Sequence, residues 1–419
     1  GTRKFDPVLL EKTAVGVNTS DYGSTGNIML QIADCGEKNG FSVYTVSRKW
    51  KGKQTPKHAK HLYVGSFFEN GLHHFLSRLS GLEGHFTAFG TARLIRRLRK
   101  LKPDVIHLHN LHSWYINLPM LFRYIKKENI PVAWTLHDCW AFTGHCPYFD
   151  MAGCDKWKTD CRGCSLHRRY PESLTDNAGR MHRRKKKWFC GVKSLTVVTP
   201  SEWLAGLVKQ SYLGGYPVRV IRNGIDLSVF KPTDSDFRAK HGIPEGCFLL
   251  LGVAFDWEVR KGLDVFVELY RRLDSAQYRI VLVGTNDEVD RSLPEGILTV
   301  HRTQNPTELA EIYTAADLFV NPTREENYPT VNMEALACGT PVVTFRTGGS
   351  PEIPDETCGS VIPKDDVDAL EREIVRIRTE KPYSPEACLK RAQGFDRKEK
   401  YKEYIGLYET IVSYNSQKN

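Results

Sequence analysis

Nowhere in the 419 residues is there a run of about 18 uncharged apolar side chains, the least that carries a helix across a bilayer. The first residues lack the charged-then-apolar pattern of a secretory signal. A soluble, cytoplasmic protein is therefore expected, with a removed leader left open because the sequence begins Gly1-Thr2 rather than with Met. Low-complexity tracts and fixed-period repeats are missing too, which excludes a disordered linker protein and a solenoid. The basic stretches carry no interleaved aromatic side chains for stacking on bases, and this counts against a nucleic-acid partner.

What is present is globular. Hydrophobic residues make up 41% of the chain and charged residues 26%, close to the average for packed domains. The length is too great for one ordinary core and suggests two large domains with a cleft between them. The formal net charge is +10, concentrated in residues 93–102 (RLIRRLRKLK) and 180–187 (RMHRRKKK). Such blocks are either solvated helix faces or footprints for an anionic partner, phosphate or an acidic membrane surface.

Short β-branched or apolar runs at 13–17, 41–46, 105–108, 132–136 and 195–198 alternate with helical patterns such as 28–37 and 91–101. That alternation predicts a parallel sheet covered on both faces by helices. The pattern restarts after a polar, proline-marked stretch at 223–244, with strands expected at 248–253, 279–283, 318–320 and 341–344. The expected fold class is α/β, two Rossmann-like doubly wound domains facing a cleft, with ligands at the carboxyl ends of the strands. The boundaries read 1–225 for a first domain with a Cys-rich insert at 139–164, 226–395 for a second domain, and 396–419 for a closing helix. Tyr401, Tyr404, Ile405, Tyr408 and Ile411 follow helical spacing in that last segment.

The most informative stretch runs from 321 to 343, NPTREENYPTVNMEALACGTPVV. A loop containing Pro329 leads into a short helix, and the unpaired N–H groups of a helix start attract an anion. Backbone donors from Tyr328, Thr330 and Val331 can hold a diphosphate, Pro329 having no N–H to give. Glu326 and Glu334, eight positions apart, can accept hydrogen bonds from sugar hydroxyls. With its Glu-x7-Glu element continuing as EALACGTPVV, the sequence resembles family 4 of the retaining glycosyltransferases, of GT-B architecture. The resemblance implies that 1–225 is the acceptor-side domain and 226–395 the nucleotide-sugar-binding one, and that Glu326 contacts the donor sugar and Glu334 the ribose hydroxyls, with Asn327 to Val331 around the donor. It also implies that Gly23 and Gly26, in the run GSTGN, lie near the donor diphosphate, and that Lys261 neutralises it. The family's usual arginine after the strand glycine is replaced by Val253-Ala254, so Arg260 is the substitute candidate. Thr303, between Arg302 and Gln304, lies where the family recognises the base. Ser201-Glu202-Trp203 and Asn223-Gly224-Ile225-Asp226 match further landmarks.

Histidines at strand carboxyl ends point toward a cleft or satisfy a core polar group. His107, His109, His112 and His137 are of this kind; the resemblance singles out His137 as the histidine held near the reacting sugar. Five of the eleven cysteines follow within 26 residues, from Cys139 to Cys164. Cys146, Cys154, Cys161 and Cys164 supply enough thiolates for a tetrahedral structural zinc, the last two at C-x2-C spacing. Free thiols or disulfides are the alternatives.

The runs GSTG, HLHNLH and WTLHDCWAFTG with the cysteine insert look like bacterial enzymes of colanic-acid and capsule assembly. This resemblance implies a UDP- or GDP-sugar donor and no catalytic cofactor. It also implies a lipid-linked saccharide acceptor at the inner face of the plasma membrane, and transfer with retention. A nucleotide-sugar 2-epimerase shares the architecture and is the rival reading; a non-catalytic binding protein ranks last because the donor residues are intact.

Overall fold

The computed structural model describes residues 11–50 and 55–418; the expectation drawn from the first residues of the chain lies outside the described residues. The first sheet contains β1 (Lys12–Val17), β2 (Phe41–Arg48), β3 (His61–Val64), β4 (Val105–Leu108), β5 (Val132–Thr135), β6 (Leu195–Thr199) and β7 (Val218–Val220). Its order is β3-β2-β1-β4-β5-β6-β7, with every neighbour parallel. The second sheet contains β8 (Phe248–Val253), β9 (Tyr278–Val283), β10 (Ile297–Val300), β11 (Leu318–Asn321), β12 (Val342–Phe345) and β13 (Gly359–Ile362). These run β10-β9-β8-β11-β12-β13, again all parallel. The expected fold class is borne out in both halves.

Strand order reverses between β1 and β4 in one sheet and between β8 and β11 in the other. Helices leaving opposite faces at those points open a crevice beyond the strand ends, where open α/β sheets bind ligands. Four strands escaped the sequence pattern, β3, β7, β10 and β13, and all four are sheet edges. Edge strands are covered less, so their sequences HLYV, VRV, ILTV and GSVI lack the continuous apolar run that marks the fully buried strands β4, β5, β11 and β12.

The final helix, Arg397–Lys418, leaves the second domain and lies on the first sheet. Tyr404 and Tyr408 are buried there among Ala14, Val105 and Ala133. The Tyr408 hydroxyl shares a 2.6 Å hydrogen bond with His107 Nδ1, and Thr135 Oγ1 donates to the Tyr404 hydroxyl at 3.2 Å. The two chain crossings between domains run side by side, since Ile225 N donates to Phe395 O at 2.8 Å and Arg397 N to Ile225 O at 3.0 Å. Gly224 permits this approach, because a Cβ there would stand 2.4 Å from Arg397 Cα.

One basic block is less exposed than its composition suggests. Lys185 is fully buried, donates to Trp140 O and sits 3.5 Å above the Trp140 ring, so part of 180–187 is structural rather than a footprint for an anion.

Candidate active site

The second switch point gathers the donor candidates. After β8 the chain makes a single helical turn, Val259–Lys261, and stops at Gly262 in the left-handed region (φ 82°). That turn aims Lys261 Nζ at Glu326 Oε2, 2.7 Å away. Glu326 ends the loop after β11, and the helix Thr330–Ala337 begins three residues beyond Asn327, with Pro329 at its cap position. The first N–H groups of that helix have no partner within it. Glu334 accepts from the Tyr313 hydroxyl at 3.0 Å. Burial pushes its carboxyl up to about 7, only partly countered by the Tyr313 and Thr330 hydroxyls. A carboxyl half protonated near neutrality is poised to ionise when hydroxyl donors arrive.

Asn327 reaches across the cleft. Its Nδ2 donates to His137 O at 2.9 Å and its Oδ1 accepts from Ser201 Oγ at 2.8 Å. The side chain therefore joins the two domains. Glu352 does the same from the other side, accepting from the backbone N–H of Glu202 (3.0 Å) and Trp203 (2.9 Å) at the start of helix Glu202–Gln210. Glu325 accepts from Met151 N at 3.1 Å. The cleft is thus bridged at three points.

His137 lies across that bridge from Glu326. Its Nε2 shares a 3.0 Å hydrogen bond with His109 Nδ1, and the two rings stack at 5.3 Å. Burial pushes His137 down to about 4, against the pull of Asp138, so its imidazole is neutral at pH 7. His112 and Asp138 form a 3.0 Å pair. Burial opposes both charges, yet each holds the other ionised, the imidazole raised and the carboxyl lowered.

Gly23 and Gly26 lie in the first turn of helix Gly23–Lys38. Gly26 lets that turn press on its own lead-in, since a Cβ would meet Ser20 O at 2.9 Å. Arg260, the residue before Lys261, lines the cleft; its Nε donates to Glu258 at 2.9 Å, it faces the Tyr148 ring at 5.9 Å, and it feels the charge of Glu326. Thr303 lies beyond the end of edge strand β10, before helix Pro306–Ala315.

Gly348 and Gly349 passed unnoticed in the sequence. A Cβ on Gly348 (φ 54°) would stand 1.7 Å from Glu326 O, and one on Gly349 2.2 Å from Asn327 O. Only this glycine pair lets the loop after β12 support the Glu326–Asn327 backbone. Two adjacent glycines just past a predicted strand were the available signal.

A cleft of about 710 Å³ opens beside these groups. Asp138, Pro147, Tyr148, Met151, Arg169 and Tyr170 form one wall, and Glu258, Val259, Arg260 and Glu325 the other. The Cys-rich insert thus builds the first domain's side of the cleft. Beneath it, Cys146, Cys154, Cys161 and Cys164 line one small enclosed cavity, and Cys146 and Leu166 border both spaces. All eleven cysteines are free thiols, so the disulfide alternative is not what this fold adopts. Gly144 N donates to Cys161 Sγ at 3.2 Å. Among the described residues only Asp34, Glu37 and His58 bring three candidate ligand atoms within 4.8 Å of one another; the four sulfurs stand wider apart than that.

Two facing parallel-sheet domains, with charged groups gathered where both strand orders reverse, define the GT-B class. The model named Glycosyltransferase Family 4 matches residues 25–229 and the model named Glycosyl transferases group 1 matches 247–380. The chain belongs to these glycosyltransferases. It is 26% identical over 279 residues to the putative colanic acid biosynthesis glycosyl transferase WcaC of Escherichia coli K12, covering 64% of this chain and 66% of that one. To a D-inositol 3-phosphate glycosyltransferase of Catenulispora acidiphila it is 31% identical over 226 residues, 48% of this chain and 53% of the relative. The matches thus span just under two thirds of these relatives' length or less. Sucrose-phosphate synthase of Thermosynechococcus elongatus superposes with TM-score 0.69 at 17% identity, covering 96% and 100% of the two chains. HepE of Anabaena in complex with UDP and glucose gives 0.65 at 14%, covering 95% and 100%. These superpositions establish the fold.

Proposed function

We propose that the protein moves a sugar, with retention of anomeric configuration, from a nucleoside-diphosphate sugar to a lipid-linked saccharide during bacterial surface-polysaccharide assembly. The observation that carries this reading is the Lys261–Glu326 pair at the β8/β11 reversal, bridged through Asn327 to His137 on the opposite domain. Glu326 receives the donor-sugar hydroxyls and Glu334 the ribose hydroxyls, while Thr303 sits toward the base. Lys261, assisted by Arg260 and the N–H groups of Tyr328, Thr330 and Val331, stabilises the diphosphate as it leaves. Gly23 and Gly26 keep the facing helix start open toward that diphosphate. UDP in a solved neighbour supports a UDP-sugar donor, with a GDP-sugar as the other choice.

The bond from the anomeric carbon to the β-phosphate oxygen breaks as the acceptor hydroxyl attacks from the same face, and the hydroxyl proton passes to the departing phosphate. Neutral His137 donates or accepts a hydrogen bond at the sugar without carrying charge. Domain closure excludes water. The acceptor saccharide occupies the cleft walled by the insert. Cys146, Cys154, Cys161 and Cys164, which line one small cavity beneath that wall, are the thiols that would hold a structural zinc, and such an ion would stiffen the wall. The enzyme works peripherally at the inner face of the membrane, from domains divided at 225 and 395.

The test is product analysis with labelled donor and a panel of lipid-linked acceptors. Transfer should occur in chelator while the enzyme stays folded, and Glu326→Ala should abolish it. Strict dependence on added magnesium or manganese would overturn the mechanism, and altered sugar formed without acceptor would establish the epimerase instead.

A further inference from the structure

Helix Phe67–Ser80 is built inside out. Its inward positions are polar: Asn70, His73 and Ser77 are at most 3% exposed. Asn70 Nδ2 donates to Val64 O at 3.1 Å, His73 Nδ1 shares a 2.8 Å bond with Thr87 Oγ1, and His73 Nε2 accepts from Gly84 N at 3.1 Å. These bonds fix which side faces the protein. The outward stripe is apolar, with Phe68 84%, Leu72 56%, Phe75 58% and Leu79 42% exposed; Phe89, on the next helix, is 81% exposed. Spacings of four, three and four put the first four on one face. Apolar patches of this kind mark a surface that meets something other than water.

Cations border the stripe. A groove of about 520 Å³ between this helix and helix Ala88–Leu101 is lined by Lys49, Arg93 and Arg97 together with Phe68. Its nearby acid, Glu69, lies 3.9 Å from Arg93 and also accepts from Gly90 N. Farther along the same basic helix, Arg96 and Arg99 line a second groove with Arg123 and Lys127. Phenylalanines fit the boundary between headgroups and acyl chains, and arginines fit the phosphates above it. A second copy of this chain would bring like charges together in a twofold contact.

We propose that this face docks on an anionic phospholipid bilayer, with Phe68, Leu72, Phe75 and Phe89 inserted and Arg93 and Arg97 on lipid phosphates. This rests on the reading that the acceptor is lipid-linked, and gives that reading a surface. The docked face belongs to the acceptor-side domain and adjoins the cleft wall, since His74 of this helix packs on Trp114 and Trp114 on Tyr170, which lines the cleft.

The experiment is sedimentation of the full chain with vesicles of phosphatidylcholine alone or mixed with phosphatidylglycerol. Binding is expected to the mixed vesicles only, and to weaken with salt. The variant Phe68→Ser/Phe75→Ser/Phe89→Ser should melt like the parent and partition at least about tenfold less. Arg93→Gln/Arg97→Gln should lose roughly thirtyfold, about fivefold for each charge. Three results overturn the proposal: no binding by the parent, undiminished binding by the serine variant, or a parent dimer that the serine variant splits while vesicle binding is unchanged. Vesicle binding without transfer to any acceptor would leave the docking face standing and remove the transferase reading.

Discussion

Glu326→Gln keeps the shape of the side chain and removes its charge. In the native protein its Oε2 lies 2.7 Å from Lys261 Nζ, with the side chains 16% and 22% exposed. At that distance an effective dielectric of about 20 gives a Coulomb attraction of roughly 6 kcal/mol. Desolvation of both groups and water at the open edge cancel most of this, leaving about 1–2 kcal/mol in the fold. The melting temperature should therefore fall by roughly 2–8 °C. Catalysis should suffer more, because the carboxylate orients Lys261 and, on the proposed mechanism, also accepts from the sugar. A charged hydrogen bond lost at the transition state, with Lys261 left free to swing, amounts to about 2.7 kcal/mol or more, a hundredfold fall in kcat/KM. Initial rates of nucleoside diphosphate release at fixed acceptor, alongside a thermal melt, measure both. A well-folded variant whose kcat/KM stays within about fivefold of the parent would refute the assignment.

Glu334 titrates near 7 in the fold, above its ordinary carboxyl range, so the native state holds a proton that the unfolded chain has lost between those values. Stability should fall as pH rises through that window, and Glu334→Gln should melt above the parent at pH 8 and match it at pH 4. Nucleotide affinity, measured by calorimetry, should move the opposite way and strengthen with pH in the parent only. His137, held down near 4, and His107, held near 3, are both displaced by burial; unfolding favours their protonation, so a chemical-denaturation series should lose stability as pH drops from about 6.5 toward 4. Gly348→Ala needs both a strained φ and room that Glu326 O occupies, and should cost about 2 kcal/mol or more in stability with weaker donor binding. Metal analysis of the purified chain should find one zinc per chain, with release on titrating thiols and softened acceptor KM; zinc-free protein with full acceptor binding would remove the proposed site.

Much of this was legible because the signals were local. The central strands are short apolar runs that no helix could use, and Glu326 and Glu334 lie within a single loop and helix of continuous sequence. The edge strands were hidden because half-covered segments carry no such run. The contacts of the Asn327 side chain across the cleft were hidden for a different reason. Its sequence neighbours are donor-side groups, whereas its partners, His137 and Ser201, come from more than a hundred residues away, and no periodicity reports a contact across a cleft. The inverted polarity of helix Phe67–Ser80 was equally silent, since an amphipathic pattern says that two faces differ without saying which one is inside.

The return of helix Arg397–Lys418 to the first sheet has a consequence for biosynthesis. Chains leave the ribosome from the N-terminus, and domains usually fold in that order. Here Ala14, Val105 and Ala133, beside Ile28 and Ile32 of the first helix, wait for Tyr404 and Tyr408, which are made after every strand of the second sheet. The second domain has all its strands by Ile362 and can finish while the first still waits. The domain that is synthesised first therefore gains the packing of this face last, and a chain cut short by a few turns of helix leaves the first domain, rather than the second, with part of a sheet face bare.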